Sequence, residues 1–286
     1  MGPILLTGGS GQVGTEIRRR AAAFDLELVA PDHAALDLSD PAGIAATVAA
    51  RPWAAIINCA AYTAVDRAES APDAAMAING VAPGVFAEAA AAKGIRLLHV
   101  STDYVFDGAR EGFWDETDRV APLGVYGQTK EAGERAVRAA GGDHVILRTA
   151  WVVSPWGQNF VKTMLRLGRE RDALRVVADQ RGCPTAAGDI ADTLLAIATR
   201  GGPSGTYHFV NAGEATWHEL ACFVFARAGL EVAVEPIATA DYPTPARRPA
   251  NSRLSTAKIA RDYGIAPRSW RTAVGEIVDT LMKDGM

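Results

Sequence analysis

Tyr126 and Lys130 stand four residues apart in the segment Tyr126-Gly127-Gln128-Thr129-Lys130. On a helix that spacing puts both side chains on one face. A lysine ammonium beside a phenol favours the phenolate, which predicts a Tyr126 pKa drawn down from about 10 toward working pH. Upstream, Ser101-Thr102-Asp103-Tyr104 closes an apolar run. Thr102 can hold a carbonyl oxygen while Tyr126 gives that oxygen a proton, the chemistry of ketone reduction. The competing reading is a surface lysine packed over an exposed tyrosine, and the pair in isolation decides little.

A glycine turn supplies the missing half of such a reaction. Thr7-Gly8-Gly9-Ser10-Gly11-Gln12-Val13-Gly14 follows the first apolar run directly, and a helical stretch follows it. Gly8 permits a tight turn, Gly11 lets the backbone approach a pyrophosphate, and Gly14 packs the helix against the strand. The helix start offers free amides to phosphate charge. That context points to a dinucleotide bordered by Gly8, Ser10, Gly11 and Gly14, the alternative being a structural turn in another α/β fold. Lys130 can hold the nicotinamide ribose. Asp32, eighteen residues past Gly14, can accept from an adenosine ribose, and no arginine adjoins it in sequence. This predicts NADH over NADPH, against the plainer reading of a loop acid. Asp37 and Leu38 are placed to lie against adenine, and Asp40 to cap the next helix. Asn58-Cys59-Ala60-Ala61-Tyr62-Thr63 offers small residues, Ala60 among them, where the cofactor passes close to the backbone.

These groups need a scaffold that brings strand ends together. Ile4 to Thr7, Leu26 to Ala30, Ala54 to Cys59, Ile95 to Val100 and His144 to Arg148 are continuous apolar runs, each followed by a helix-length segment. Continuous apolar strands alternating with helices predict a Rossmann-type α/β fold, a doubly wound parallel sheet covered on both faces. After Trp151 the rhythm changes: a helix from about Asn159 to Arg171, a strand Leu174 to Ala178, a helix Asp189 to Arg200 and a strand Tyr207 to Val210. We expect residues 1–150 to form the dinucleotide-binding domain, with 187–212 returning to it. Residues 151–186 and 213–286 then form a smaller C-terminal substrate-binding lobe. The Pro-, Ala- and Arg-rich stretch from Ala238 to Pro249 is expected to be an ordered binding loop rather than a linker.

Composition narrows the partners. The chain has 286 residues, 22% of them charged, with a formal net charge of -4. That balance argues against a nucleic-acid surface, and Arg18-Arg19-Arg20, the one basic run, points in different directions on a helix and reads as solvated surface. Cys59, Cys183 and Cys222 lack the spacing of a disulfide framework or a zinc site. His99 and His208 lie in apolar strands and read as core residues, while His33, His144 and His218 show no metal-like spacing, so no metal ligand is assigned. The N-terminus reads as a buried strand rather than a signal peptide, and no apolar run approaches the ~20 residues of a membrane helix. A cytoplasmic protein with no membrane and no nucleic-acid partner is expected, as a monomer or weak homodimer.

Taken together, Thr7 to Gly14, Ala61 to Asp66, Ser101 to Gly108, Val125 to Lys130, Arg148 to Val152, Asn159 to Leu167, Asp179 to Thr185 and Tyr242 to Leu254 resemble the extended short-chain dehydrogenase/reductases, and within them the dTDP-4-dehydrorhamnose reductases. The likeness spans about residues 3 to 280. It implies Thr102, Tyr126 and Lys130 as a catalytic trio. It implies cofactor contacts from Gly11-Gln12-Val13, Asp32, Asp37-Leu38, Ala61-Tyr62-Thr63 and Val100, with NADPH or NADH as hydride donor. Thr102, Asp103 and Trp151 are placed beside a nucleotide-linked deoxysugar, with Tyr104 and Asn159 as further candidates. Trp151 is otherwise a core aromatic, Arg247 or Arg248 a diphosphate contact or a loop charge, and Lys162 a weaker candidate. Some members of that family form magnesium-bridged dimers through two glutamates. Glu16 matches one, but Gly188 stands at the other with Asp189 beside it, so a Mg2+ site is doubtful. The implied reaction is NAD(P)H-dependent reduction of the C4 ketone of dTDP-4-dehydro-L-rhamnose. The same chemistry on another dTDP-deoxysugar, or a non-catalytic regulatory subunit of this fold, are the rivals.

Overall fold

The computed structural model describes residues 2–284. Its first half alternates strand and helix. β1 (Ile4–Thr7), α1 (Gln12–Arg20), β2 (Leu28–Val29), α2 (Pro41–Ala49) and β3 (Ala55–Asn58) come first. The short α3 (Val65–Ala68) leads to a helical run made of α4 (Pro72–Met76), a π turn (Ala77–Val81) and α5 (Ala82–Ala91). β4 (Arg96–Thr102), α6 (Val125–Ala139) and β5 (His144–Thr149) follow. The second half contains β6 (Val152–Val153), α7 (Phe160–Glu170), β7 (Ala173–Val177), β8 (Arg181–Gly182), β9 (Thr185–Ala186), α8 (Ala187–Arg200) and β10 (Gly205–His208). β11 (Ala215–Thr216), α9 (Trp217–Ala228), β12 (Ala233–Ile237), β13 (Asn251–Ser252), α10 (Ala257–Tyr263) and α11 (Trp270–Lys283) complete the described residues.

The main sheet runs β10-β5-β4-β3-β1-β2, with every neighbouring pair parallel. β1 and β3 are buried at every position, as strands covered on both faces must be. Ile17, Ile190 and Leu194 cover one face beside Ile4 and Leu6, while Val48, Phe86 and Val137 cover the other beside Leu5 and Ile56. A third apolar cluster joins α7, α9 and α11 around Leu165, Val224 and Trp270.

The sheet order turns back between β1 and β3, and at such a switch point the connections after the two strands diverge and leave a crevice. Thr7 Oγ1 donates to Asn58 Oδ1 at 2.6 Å and ties the two strand ends that flank it. β2 is shorter than its apolar run suggested, because Asp25 turns into the left-handed region (φ 52°) and leaves only an edge pairing at Leu28 and Val29. Asp40 caps α2 by accepting from the Ala42 amide at 3.0 Å. The run Pro72–Ala91 is long and apolar enough to cross a membrane, yet half of it is buried inside the protein. The loop before β13 is held by side chains: Asp179 accepts from the Thr239 hydroxyl at 2.6 Å and Asp66 from the Ala246 amide at 3.1 Å. It is an ordered element of the fold.

Candidate active site

Geometry at the end of β1 leaves room for nothing but backbone. Gly8 adopts φ +70°, and a Cβ there would lie 2.7 Å from the Ala60 amide nitrogen. A Cβ on Gly14 would strike the Gly8 carbonyl. α1 then begins at Gly11 with no side-chain cap, so its first amides remain available to an anion. Beside this turn lies a cavity of about 340 Å3 bordered by Gly8, Ser10, Asp32, Leu38, Ala60, Ala61 and Tyr62. Tyr62 is fixed from behind by Asn79, whose Oδ1 accepts from the Tyr62 amide (2.8 Å) and whose Nδ2 donates to its carbonyl (3.1 Å). The buried Tyr62 hydroxyl has no partner in the protein. A cradle of glycines, free helix amides and an unmatched hydroxyl fit the phosphates and ribose of a dinucleotide.

β4 pairs with β3, the strand that leads into Ala60 and Ala61 on that cavity's wall, and carries the polar centre at its end. Thr102 Oγ1 donates to Asp103 Oδ1 at 3.0 Å and accepts from the Tyr104 amide at 3.2 Å. Tyr126, from the first turn of α6, lies within hydrogen-bond reach of Thr102 and packs edge-on against Tyr104, with ring centroids 5.4 Å apart. One turn along α6, buried Lys130 donates to the Val100 carbonyl at 2.7 Å. The helix can come this close because Gly127 packs onto the Tyr104 carbonyl, where any side chain would collide.

Burial sets the protonation states. It pulls Lys130 down from 10.5 to about 8, with the nearby Glu134 and Cys59 opposing, so the lysine is still an ammonium at pH 7. It pushes the Tyr126 phenol up to about 12, a rise that the Thr102 contact moderates and the Asp103 charge reinforces. This reverses the expectation that Lys130 would draw the phenol toward neutrality: loss of water outweighs any help from the ammonium, and Tyr126 is held as a neutral acid. Burial likewise raises Asp103 to about 6 against hydrogen bonds from Ser252 and Thr102, and its Oδ2 has no partner. Behind the strand, Glu134 accepts from Ser101 Oγ (2.6 Å) and from Arg148 (2.6 and 2.9 Å), locking α6 to β4 and β5.

Outward from this centre a larger cavity of about 850 Å3 opens between α7, β7 and the loop before β13, with Trp217, Tyr242 and Arg248 on its wall. Trp217 stacks on Trp151, with centroids 3.5 Å apart. Trp151 itself adopts φ 48°, an uncommon backbone for an aromatic, and its indole packs over Gly182.

Comparison with known proteins agrees with this fold. The family model described as the RmlD substrate binding domain matches residues 1–283. A dTDP-4-dehydrorhamnose reductase of Sinorhizobium fredii is 42% identical over 292 residues, covering 99% of this chain and 98% of the relative. The chain belongs to the dTDP-4-dehydrorhamnose reductase family. The reductase of that name from Bacillus anthracis, solved in complex with NADP, superposes with a TM-score of 0.91 at 34% identity, covering 98% of this chain and 99% of that one. A protein of Streptomyces antibioticus named as a probable dTDP-4,6-dihydroxy-2-methyloxan-3-one 4-ketoreductase is 41% identical over 286 residues, 97% of this chain and 95% of the relative.

Some expected residues of this dTDP-4-dehydrorhamnose reductase family member lie elsewhere. Asn159 caps α7, its Oδ1 accepting from Lys162 N (3.2 Å) and its Nδ2 donating to Gln12 Oε1 (3.0 Å) and the Ser154 carbonyl (2.8 Å). Its amide is spent on the fold, and so is the Gln12 side chain. Val13 packs against the sheet core. Asp37 closes a turn by accepting from the Ser39 amide and hydroxyl, both at 2.8 Å, and is not on the cavity wall; Thr63 is exposed outside it. Arg247 is exposed, whereas Arg248 reaches the large cavity and pairs with Asp66 at 2.9 Å. Lys162 donates to the Pro155 carbonyl at 3.3 Å. Trp151 already has one stacking partner in Trp217, which limits the ring face it could offer a sugar. The sequence pattern does not single out Asn79, Glu134, Trp217 or Arg18, and Arg18 lines the cofactor cavity together with Asp32, beside which the sequence has no arginine.

The magnesium bridge known in this family does not fit these residues. Glu16 is paired with Arg20 and accepts from Trp156 Nε1 at 2.9 Å. The Arg20 guanidinium fills the space a side chain at Gly188 would need, and Asp189 is held by Arg268 (2.9 Å) and Asn211 (2.6 Å). The Glu16 carboxylate is thus committed to a guanidinium and an indole rather than left free for a divalent ion.

Proposed function

We propose that this chain reduces the C4 ketone of dTDP-4-dehydro-L-rhamnose to dTDP-L-rhamnose. The observation that carries the proposal is Tyr126 within reach of Thr102 at the end of β4, with Lys130 one turn along α6 on the Val100 carbonyl, in a chain 42% identical to reductases of that name. NADPH or NADH, when bound, supplies the hydride that C4 accepts. Thr102 holds the ketone oxygen in line with Tyr126. Tyr126, neutral because burial keeps it near 12, gives its proton to that oxygen as negative charge develops on it. Lys130, fixed on the Val100 carbonyl, offers a charge that stabilises the resulting phenolate. Asp103 and Tyr104 face the sugar ring. Arg248 is suited to the diphosphate, because guanidinium forks match phosphate oxygens, and the apolar wall of the larger cavity is suited to the thymine. On this reading residues 1–150 with 187–212 hold the cofactor, and 151–186 with 213–286 hold the sugar nucleotide.

The test is NADPH and NADH oxidation by the purified protein with enzymatically generated dTDP-4-dehydro-L-rhamnose. Tyr126→Phe should lose turnover by about 100-fold or more while binding NADP+ like the parent. Near-normal turnover would refute the role given to the phenol. A second reading, reduction of a different dTDP-4-keto-deoxysugar, is favoured by the 41% identity to the Streptomyces antibioticus protein. Comparing kcat/KM on several such sugars separates the two.

A further inference from the structure

The basic run Arg18-Arg19-Arg20 has three separate fates. Arg20 pairs with Glu16 and, at 3.0 Å, with Asp192. Arg19 lies over the Trp156 ring, 4.5 Å from its centroid. Arg18 projects over the glycine turn, where its Cδ would lie 3.4 Å from a Cβ on Gly9, and it lines the cofactor cavity with Asp32 and His33. Among the described residues Arg18 makes no ion pair and no hydrogen bond. An arginine there shares the cavity with the uncapped N-terminus of α1, which is itself a centre of positive potential. Arg18 is exposed, so its charge is solvated in the empty protein and its guanidinium is open to an anionic group of a ligand in this cavity.

Asp32 faces the same space, but Oδ1 is committed to the Ala35 amide at 2.9 Å, which sets the orientation of the carboxylate from within its own turn. That leaves one carboxylate oxygen for a ribose hydroxyl and places an arginine across from it.

We propose that Arg18 is the contact for the adenosine 2′-phosphate and makes this chain select NADPH over NADH, with His33 at the rim of the same subsite. The proposal rests on the dinucleotide reading given above and names the residue that decides between its two forms. Arg18 supplies a charge-assisted hydrogen bond to the 2′-phosphate and offsets the repulsion that Asp32 exerts on it. NADH makes no use of Arg18, because its ribose ends in a hydroxyl at that position.

The experiment is calorimetric titration of the full-length protein with NADP+ and with NAD+, which reads binding without turnover. The parent should bind NADP+ more tightly. Arg18→Gln should weaken NADP+ about 10- to 100-fold and NAD+ by less than about threefold, so NAD+ binding also reports that the variant is folded. Arg18→Lys should recover part of the loss, since it keeps the charge but not the fork. In competition, 2′,5′-ADP should displace NADP+ from the parent far better than 5′-AMP, and the two should converge on Arg18→Gln. An equal loss for both dinucleotides, an unchanged NADP+ affinity, or a parent that prefers NAD+ would each overturn the assignment. A parent that bound neither would overturn the dinucleotide reading itself, a result distinguishable from all three.

Discussion

Replacing Lys130 with methionine should flatten the protein's stability against alkaline pH while abolishing reduction. The side chain is 2% exposed, and its ammonium has one hydrogen-bond acceptor, the Val100 carbonyl at 2.7 Å. Burial therefore lowers it from 10.5 to about 8. Below pH 8 both folded and unfolded chains carry the proton, and the folded one does so at a cost of about 1.4 kcal/mol for each pH unit between the two values, about 3 kcal/mol in all. Above 10.5 both are neutral and the cost is gone. Between these limits the unfolded chain binds more protons, so stability contributed by this residue rises with pH. Other groups titrate in the same range, but they cancel when the variant is subtracted from the parent. The parent should gain about 2.5 kcal/mol on Lys130→Met between pH 7 and pH 10. Leaving the Val100 carbonyl without its donor costs about 1–3 kcal/mol at every pH, which moves the offset and not the slope. Urea unfolding of both proteins at several pH values measures it. A difference that does not change with pH, or falls as pH rises, would refute the reasoning.

Three further outcomes follow from the same geometry. Thr102→Val removes the hydroxyl shared by Asp103 and Tyr104, and kcat should fall about 10- to 1000-fold with NADP+ affinity retained, measured by steady-state kinetics and titration. Gly182→Ala puts a methyl into the Trp151 indole, and calorimetry should show a loss of about 1–3 kcal/mol and a weaker apparent affinity for the sugar nucleotide. Because Arg20 already satisfies Glu16, neither millimolar Mg2+ nor EDTA should move the melting temperature or the sedimentation coefficient; a Mg2+-dependent dimer would contradict that.

What the sequence revealed best was whatever depends on local spacing. The buried strands, the tight glycine turn after β1 and the Asp40 cap are short-range patterns, each legible from a few neighbouring residues. The misses come from the third dimension. Arg18 is solvent-facing as its sequence predicts, but nothing in a linear reading says that its stem lies over Gly9. Asn79 hides in an alanine-rich helix, although an asparagine among apolar neighbours is itself a sign of a buried hydrogen-bond hub. Trp217 meets Trp151 only because α9 folds back against the strand ends. Asn159, a substrate candidate by resemblance, caps α7 instead, the role that an asparagine just before a helix signals locally. The phenol's acidity was misjudged because spacing reports a neighbouring charge but not the removal of water around it.

Asn79 is followed by Gly80, the neighbour that least hinders attack of a backbone nitrogen on an asparagine side-chain carbonyl. In the native protein that attack is blocked, since Asn79 is wholly buried inside a helical turn with its amide bonded to Tyr62 and Thr129. The unfolded chain has no such protection, and deamidation there would leave a carboxylate facing the Tyr62 carbonyl, acceptor against acceptor. Time spent unfolded is thus recorded as covalent damage at the residue joining the cofactor wall to α6, and prolonged heating becomes irreversible ageing.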